Sequence, residues 1–96
     1  MGALLAVATG GLSACLLPPD APTVLASATG TGPDDAYVVY SAEQEHEVLR
    51  LLGLRVERRA VHMIDGRTFD VFTTTKPETG EARDVWFDIS RFFGRL

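Results

Sequence analysis

The fold is decided by residues 54–90, which read LRVERRAVHMIDGRTFDVFTTTKPETGEARDVWFDIS. Two turn signals interrupt runs that are rich in Val, Phe, Thr and Ile. Asp65-Gly66 predicts a two-residue hairpin loop, because a type I′ turn requires positive φ at both central positions. In the second signal, KPETG at 76–80, the proline presets φ for a turn and the glycine supplies a left-handed residue. The stretch therefore predicts a three-stranded antiparallel meander.

The two loops also predict a register for this meander. Ile64 is expected to pair with Arg67 across the first loop, and Thr75 with Glu81 across the second. Because side chains alternate between the faces of a sheet, one face is then mostly apolar and must be covered. That face carries Ala60, His62, Ile64, Phe69, Val71, Val85, Phe87 and Ile89. The opposite, outer face carries Arg59, Val61, Met63, Asp70, Phe72, Asp84, Trp86 and Asp88.

A single helix is predicted to cover the apolar face. Ser41 stands three residues before Gln44 in a capping-box pattern, and Gly53 suits the position after a helix end. These signals predict a helix from about residue 42 to residue 52. Its apolar stripe is formed by Val48, Leu49, Leu51 and Leu52.

The predicted architecture is an α+β domain over residues 37–96, with one helix packed on a three-stranded antiparallel meander in the order α-β-β-β. The β-prone run at 37–40 predicts a short extra edge strand. Strict alternation would bury Arg58, so either a bulge near Arg58-Arg59 or an exposed strand end is expected there. In layout only, residues 41–89 resemble PepSY-type modules and small outer-membrane lipoproteins of the SmpA/BamE type. No functional residue is carried over from either family.

Composition limits the functions that the chain can have. The chain has 96 residues, which is enough for one domain. Its formal net charge of −4 argues against nucleic-acid binding by bulk attraction. Cys15 is the single cysteine, which excludes an internal disulfide and a cysteine-based metal cluster. No cofactor is predicted.

The N-terminal residues 1–15 resemble the signal peptide of a bacterial lipoprotein. An uncharged apolar run ends in Leu12-Ser13-Ala14-Cys15, which resembles a lipobox, although no basic residue precedes the run. The resemblance implies that Cys15 becomes the acylated N-terminus and anchors the chain in the lipid bilayer. It further implies a domain that faces the periplasm or the exterior. In lipoproteins of diderm bacteria a residue other than aspartate after the cysteine favours the outer membrane, so with Leu16 the resemblance implies outer-membrane rather than inner-membrane sorting.

Residues 16–36 are rich in Pro, Ser, Thr and Gly and predict a flexible tether between this anchor and the domain.

Few residues carry candidate chemistry. His46 and His62 lie on different elements without metal-ligand spacing, and His62 is expected to be a buried core histidine. Asp70, Asp84 and Asp88 flank Trp86 on the outer face, but an open sheet offers no cleft that would raise one carboxyl pKa. Two interpretations of that face stay open. One is an interaction surface that consists of Trp86, Phe72, Met63, Asp70 and Asp88, and the other is plain packing of the face against the N-terminal segment.

The leading hypothesis is a membrane-anchored cell-envelope lipoprotein with a non-enzymatic module that binds a protein partner. One alternative is a soluble intracellular α+β protein whose first residues form a core helix. Another is a small ligand-binding or enzymatic module that uses Asp70, Asp88 and His62 in a closed pocket.

Overall fold

A computed structural model describes residues 18–94 as two helices and a four-stranded mixed sheet. The helices are α1 (Ala21–Ser27) and α2 (Ala42–Leu52), and a 3-10 turn spans Pro33–Asp35. The strands are β1 (Tyr37–Val38), β2 (Arg55–Ile64), β3 (Arg67–Thr75) and β4 (Ala82–Asp88). In the sheet the order is β1-β4-β3-β2, with β1 parallel to β4 and the other pairs antiparallel. The predicted α+β class, the meander and the short edge strand are confirmed.

Helix α2 has the predicted bounds because local capping fixes both of its ends. The Gln44 amide N–H donates to Ser41 Oγ at 3.2 Å, and the Gln44 side-chain carbonyl accepts from the Tyr40 N–H at 2.9 Å. Gly53 ends the helix in the left-handed region at φ 70°. Val48 and Leu49 are buried, whereas Leu51 is exposed, so the apolar stripe is narrower than predicted.

The first hairpin has the predicted register, because Asp65 and Gly66 adopt φ of 51° and 77° in a tight two-residue loop. Ile64 pairs with Arg67, and the pairing continues without interruption to Arg59. The expected bulge is present, but it lies between Val56 and Arg58, one residue before the predicted position.

The predicted register of the second hairpin is wrong by one residue. The Lys76 N–H donates to the Glu81 carbonyl at 2.8 Å, which closes a loop of four residues where five were expected. Thr75 consequently pairs with Ala82. Since a shift of one residue reverses the direction of every side chain, β4 is reversed relative to β3. Val85 and Phe87 face the helices as predicted, but they do so beside Phe72 instead of Phe69 and Val71.

This shift creates two hydrophobic clusters in place of one covered face. Facing the helices, a main core contains Ala21, Val24, Tyr37, Val39, Val48, Leu49, Phe72, Val85, Phe87 and Ile89. On the opposite side of the sheet, Phe69, Val71 and Ala36 are buried, and the half-buried Trp86 packs against them. Trp86 therefore lies on the face away from the helices.

Residues 18–36, expected to belong to a flexible tether, are instead part of the fold. Asp20 caps α1 by accepting from the Thr23 N–H at 3.0 Å, and Val24 is buried in the main core. Further along, the Gly30 carbonyl accepts from the Trp86 N–H at 2.8 Å, so the chain before β1 also bonds to β4. The prolines and glycines that suggest a tether act here as caps and turns. The expectations for residues 1–17, including the lipobox at Cys15, lie outside the described residues.

Gly30 is a position where the fold requires glycine. Its φ is 68°, and a Cβ placed there would overlap the ring of Tyr37. We expect Gly30→Ala to lower the free energy of unfolding by about 2–4 kcal/mol, from left-handed strain and overpacking together. Urea denaturation measures this loss.

Gly32→Ala is the matched control, since Gly32 is extended and its added Cβ meets nothing within 4 Å. It should change stability by less than about 0.5 kcal/mol. Equal losses in the two variants would contradict the packing of residues 29–37 described here.

Candidate functional site

A buried carboxylate lies near the middle of β3, on the side of the sheet that faces the helices. Asp70 is completely buried. Arg59, on the neighbouring strand β2, donates to both of its carboxylate oxygens, at 2.8 and 2.9 Å. The arginine side chain is 55% exposed, so its charge lies between the buried acid and solvent. This bidentate pair is the form in which a protein can hold a carboxylate in its interior.

A second acid from α2 completes the cluster. Glu45 is 3% exposed and lies against Asp70. Burial, followed by the neighbouring Asp70 carboxylate, raises the pKa of Glu45 to about 9, while Arg59 acts in the opposite direction. Glu45 is therefore a neutral carboxylic acid at pH 7. Its Oε2 has no hydrogen-bond partner among the residues that the structure describes.

This acid cluster lies apart from the two open grooves near β1. Two open grooves, of about 420 and 530 Å³, lie around β1 and share Val38, Tyr40 and Arg91 in their walls. Neither groove reaches the Glu45–Asp70–Arg59 cluster. The cluster joins α2, β3 and β2, and its geometry is that of an internal crosslink between three elements.

A second ion pair lies on the opposite face. Arg67 donates to Asp88 Oδ2 at 3.1 and 2.9 Å, and its guanidinium lies 4.8 Å from the centre of the Phe69 ring. Burial opposes ionisation of Asp88, but hydrogen bonds from Ser90 and the charge of Arg67 outweigh it and hold the pKa of Asp88 below its ordinary value. This pair fixes the end of β4 against the start of β3.

The predicted interaction surface does not form as one surface. Phe72 and Asp70 are buried beneath the helices, whereas Trp86 and Asp88 lie on the other face because of the shifted register. Met63 alone is strongly exposed, at 71%. The alternative enzymatic site also fails, since Asp70 lies on the opposite side of the sheet from both Asp88 and His62.

The histidines do not form a site either. His62, expected in the core, is exposed and stacks on Trp86 with ring centres 5.4 Å apart. His46 is exposed at the edge of the Phe72 ring. Across residues 18–94, no group of three or more His, Cys, Asp or Glu side chains is placed to hold a metal ion.

The free edge of β2 is the feature that sequence reasoning missed. The Thr68 carbonyl accepts from Ile89, and the Lys76 N–H donates to Glu81, so the even-numbered residues of β3 bond to β4. Its odd-numbered residues therefore bond to β2, at Ala60, His62 and Ile64. The intervening residues of β2 direct their N–H and C=O groups away from the sheet. These residues are Arg59, Val61 and Met63.

Beside this backbone edge, β2 exposes apolar side chains. Val56, Val61 and Met63 are 42, 46 and 71% exposed, and all three project on the side that faces the helices. Helix α2 covers β3 and β4 but leaves this part of β2 open. The signal in the sequence was the position of β2 at the outer end of the meander, together with its run of arginines.

Comparison with protein-family models, with curated protein sequences and with solved structures finds no match to this chain. Within residues 18–94, no helix has the length and apolar character needed to cross a membrane.

The raised pKa of Glu45 predicts a specific dependence of stability on pH. The pKa of Glu45 is near 4.5 in the unfolded chain and about 9 in the folded chain. At a pH between these two values, the unfolded chain has released the Glu45 proton while the folded chain keeps it. The contribution of Glu45 to the free energy of unfolding is therefore fully present below pH 4.5. It falls as the pH rises toward 9, by at most about 1.4 kcal/mol per pH unit. We expect Glu45→Gln to gain stability relative to wild type as the pH is raised from 5 to 8, measured by urea denaturation.

Glu43→Gln provides the control, because Glu43 lies two residues before Glu45 on the same helix but is exposed. Its difference from wild type should stay constant over this pH range. A flat difference for Glu45→Gln as well would show that Glu45 is ionised in the folded protein.

Proposed function

We propose that the chain is a cell-envelope lipoprotein, anchored through Cys15, whose folded part is a non-enzymatic module that binds a protein partner along β2. The proposed interaction rests on one observation. Strand β2 has ten residues, is exposed over nearly its whole length and forms an open edge of the sheet. An open strand presents a row of unpaired backbone groups, and such rows pair with other chains.

The anchor part of the proposal is supported by the sequence at 12–15. An aliphatic residue, two small residues and a cysteine follow an uncharged apolar run. Acylation of Cys15 with two or more chains would hold the protein at the bilayer, at about 0.8 kcal/mol per buried methylene. Because the fold already includes Asp20, the link to Cys15 can span at most about 18 Å. The module would therefore lie close to the membrane surface.

The non-enzymatic part of the proposal is supported by the position of the acid cluster, which lies apart from both grooves. Glu45 and Asp70 are the acids whose environment departs most from that of a surface carboxylate, and neither lines a groove. Glu45 contacts Asp70, and Asp70 pairs with Arg59, so these side chains connect α2, β3 and β2 within the fold.

Metabolic labelling with an alkyne-tagged palmitate tests the anchor in a bacterial host that processes lipoproteins. We expect the wild-type chain to be labelled and to sediment with membranes. Cys15→Ser should abolish labelling, because it removes the thiol that takes up the lipid. Ser13→Ala is the matched control and should keep labelling, since alanine is also small.

Two outcomes would contradict the anchor. Equal labelling of the Cys15→Ser chain would show that the lipid is attached elsewhere. An unlabelled wild-type chain in the soluble fraction would favour the alternative of a soluble intracellular protein.

A further inference from the structure

We propose that the open edge of β2 binds an extended, acidic segment of a partner protein, which adds to the sheet as a fifth strand next to β2. This inference rests on the proposed function and names the chemistry of the partner. Its three supports are the direction of backbone groups, the exposed apolar side chains and the local charge.

The backbone of β2 supplies the pairing groups. Arg59, Val61 and Met63 together direct three N–H and three C=O groups away from β3. An antiparallel partner strand of about five residues would satisfy all six. The Asp65-Gly66 turn and the Glu57 bulge bound this stretch at its two ends, so the pairing segment has a defined length.

The side chains of β2 select an alternating partner. Val61 and Met63 are exposed on the side of the helices, and they leave an apolar strip beside α2. Ala60 and His62 project on the other side, with Arg58 beyond them. A partner strand with apolar residues toward the helices would cover the strip, at about 25 cal/mol per Å² of apolar surface.

Charge selects an acidic partner. Strand β2 carries three arginines and one glutamate in a chain whose net charge is −4. Arg58 is exposed, and no described carboxylate lies within ion-pairing distance of it. Arg59 is held by Asp70 but remains half exposed. Acidic side chains beside β2 would be attracted, whereas pairing with a second copy of β2 would bring six arginines into two adjacent strands.

The probe for this proposal is a fluorescein-labelled peptide, Ser-Val-Glu-Val-Glu-Val-Ser, whose valines and glutamates alternate between faces. Fluorescence anisotropy with the full chain at pH 7 should show saturable binding that weakens in 0.5 M salt. The same peptide with lysine in place of glutamate should bind at least tenfold more weakly. A version with N-methyl groups on the alternate amides that would face β2 should lose binding, because it cannot donate hydrogen bonds to the β2 carbonyls.

Val61→Pro blocks the edge in the protein itself. Proline removes the outward N–H at that position, and edge strands tolerate proline there because this group forms no bond within the sheet. We expect at least tenfold weaker peptide binding. Val61→Thr, which keeps the N–H, should bind within threefold of wild type.

The outcomes separate this inference from the proposed function. Two results would overturn the inference even if Cys15 is acylated. One is equal binding of the glutamate and lysine peptides, and the other is equal binding of the glutamate peptide with and without N-methyl groups. A wild-type dimer that Val61→Pro converts to a monomer would also overturn it, since a second copy would then occupy the edge. Because the N-methylated peptide is tested on the wild-type chain, the proposal stays testable even if Val61→Pro fails to fold.

Discussion

The pairing of β2 with β3 is the constraint on which the rest of the structure depends. The left-handed Asp65-Gly66 loop sets it, and the pairing then extends to Arg59 without a shift. This register decides two things together. It places Arg59 on the same side of the sheet as Asp70, and it directs the backbone groups of Val61 and its alternate neighbours into solvent. The acid cluster and the open edge are thus consequences of the same hairpin.

The acid cluster adds specificity to this pairing. Arg59 reaches Asp70 only because both side chains project on the same side of the sheet. A slip of one residue along β2 would move Arg59 to the other face and leave a completely buried carboxylate without its partner. Glu45, kept neutral by burial, closes the cluster from α2 without adding a second buried charge. We infer that the cluster selects the register, at some cost in stability.

Local signals in the sequence were sufficient for the first hairpin and for α2. Asp65-Gly66 permits one tight loop, and Ser41 with Gly53 fixes both ends of a helix. The second loop was ambiguous, because a proline and a glycine three residues apart fit loops of four or five residues equally well. That single choice divided the predicted interaction surface. Trp86 and Asp88 lie on the face away from the helices, as predicted, whereas Phe72, Met63 and Asp70 lie on the side of the helices. Helix α1 was missed because its seven residues carry little periodicity, and tertiary packing of Val24 supplies what the local pattern lacks.

The most direct test of the central claim is residue-resolved amide hydrogen exchange of β2 by NMR. Pairing with β3 on one side only predicts slow exchange at Ala60, His62 and Ile64 and fast exchange at Arg59, Val61 and Met63. Uniform protection of all six amides in a monomer would contradict the open edge. Protection in the opposite alternation would contradict the register from which the acid cluster and the binding edge both follow.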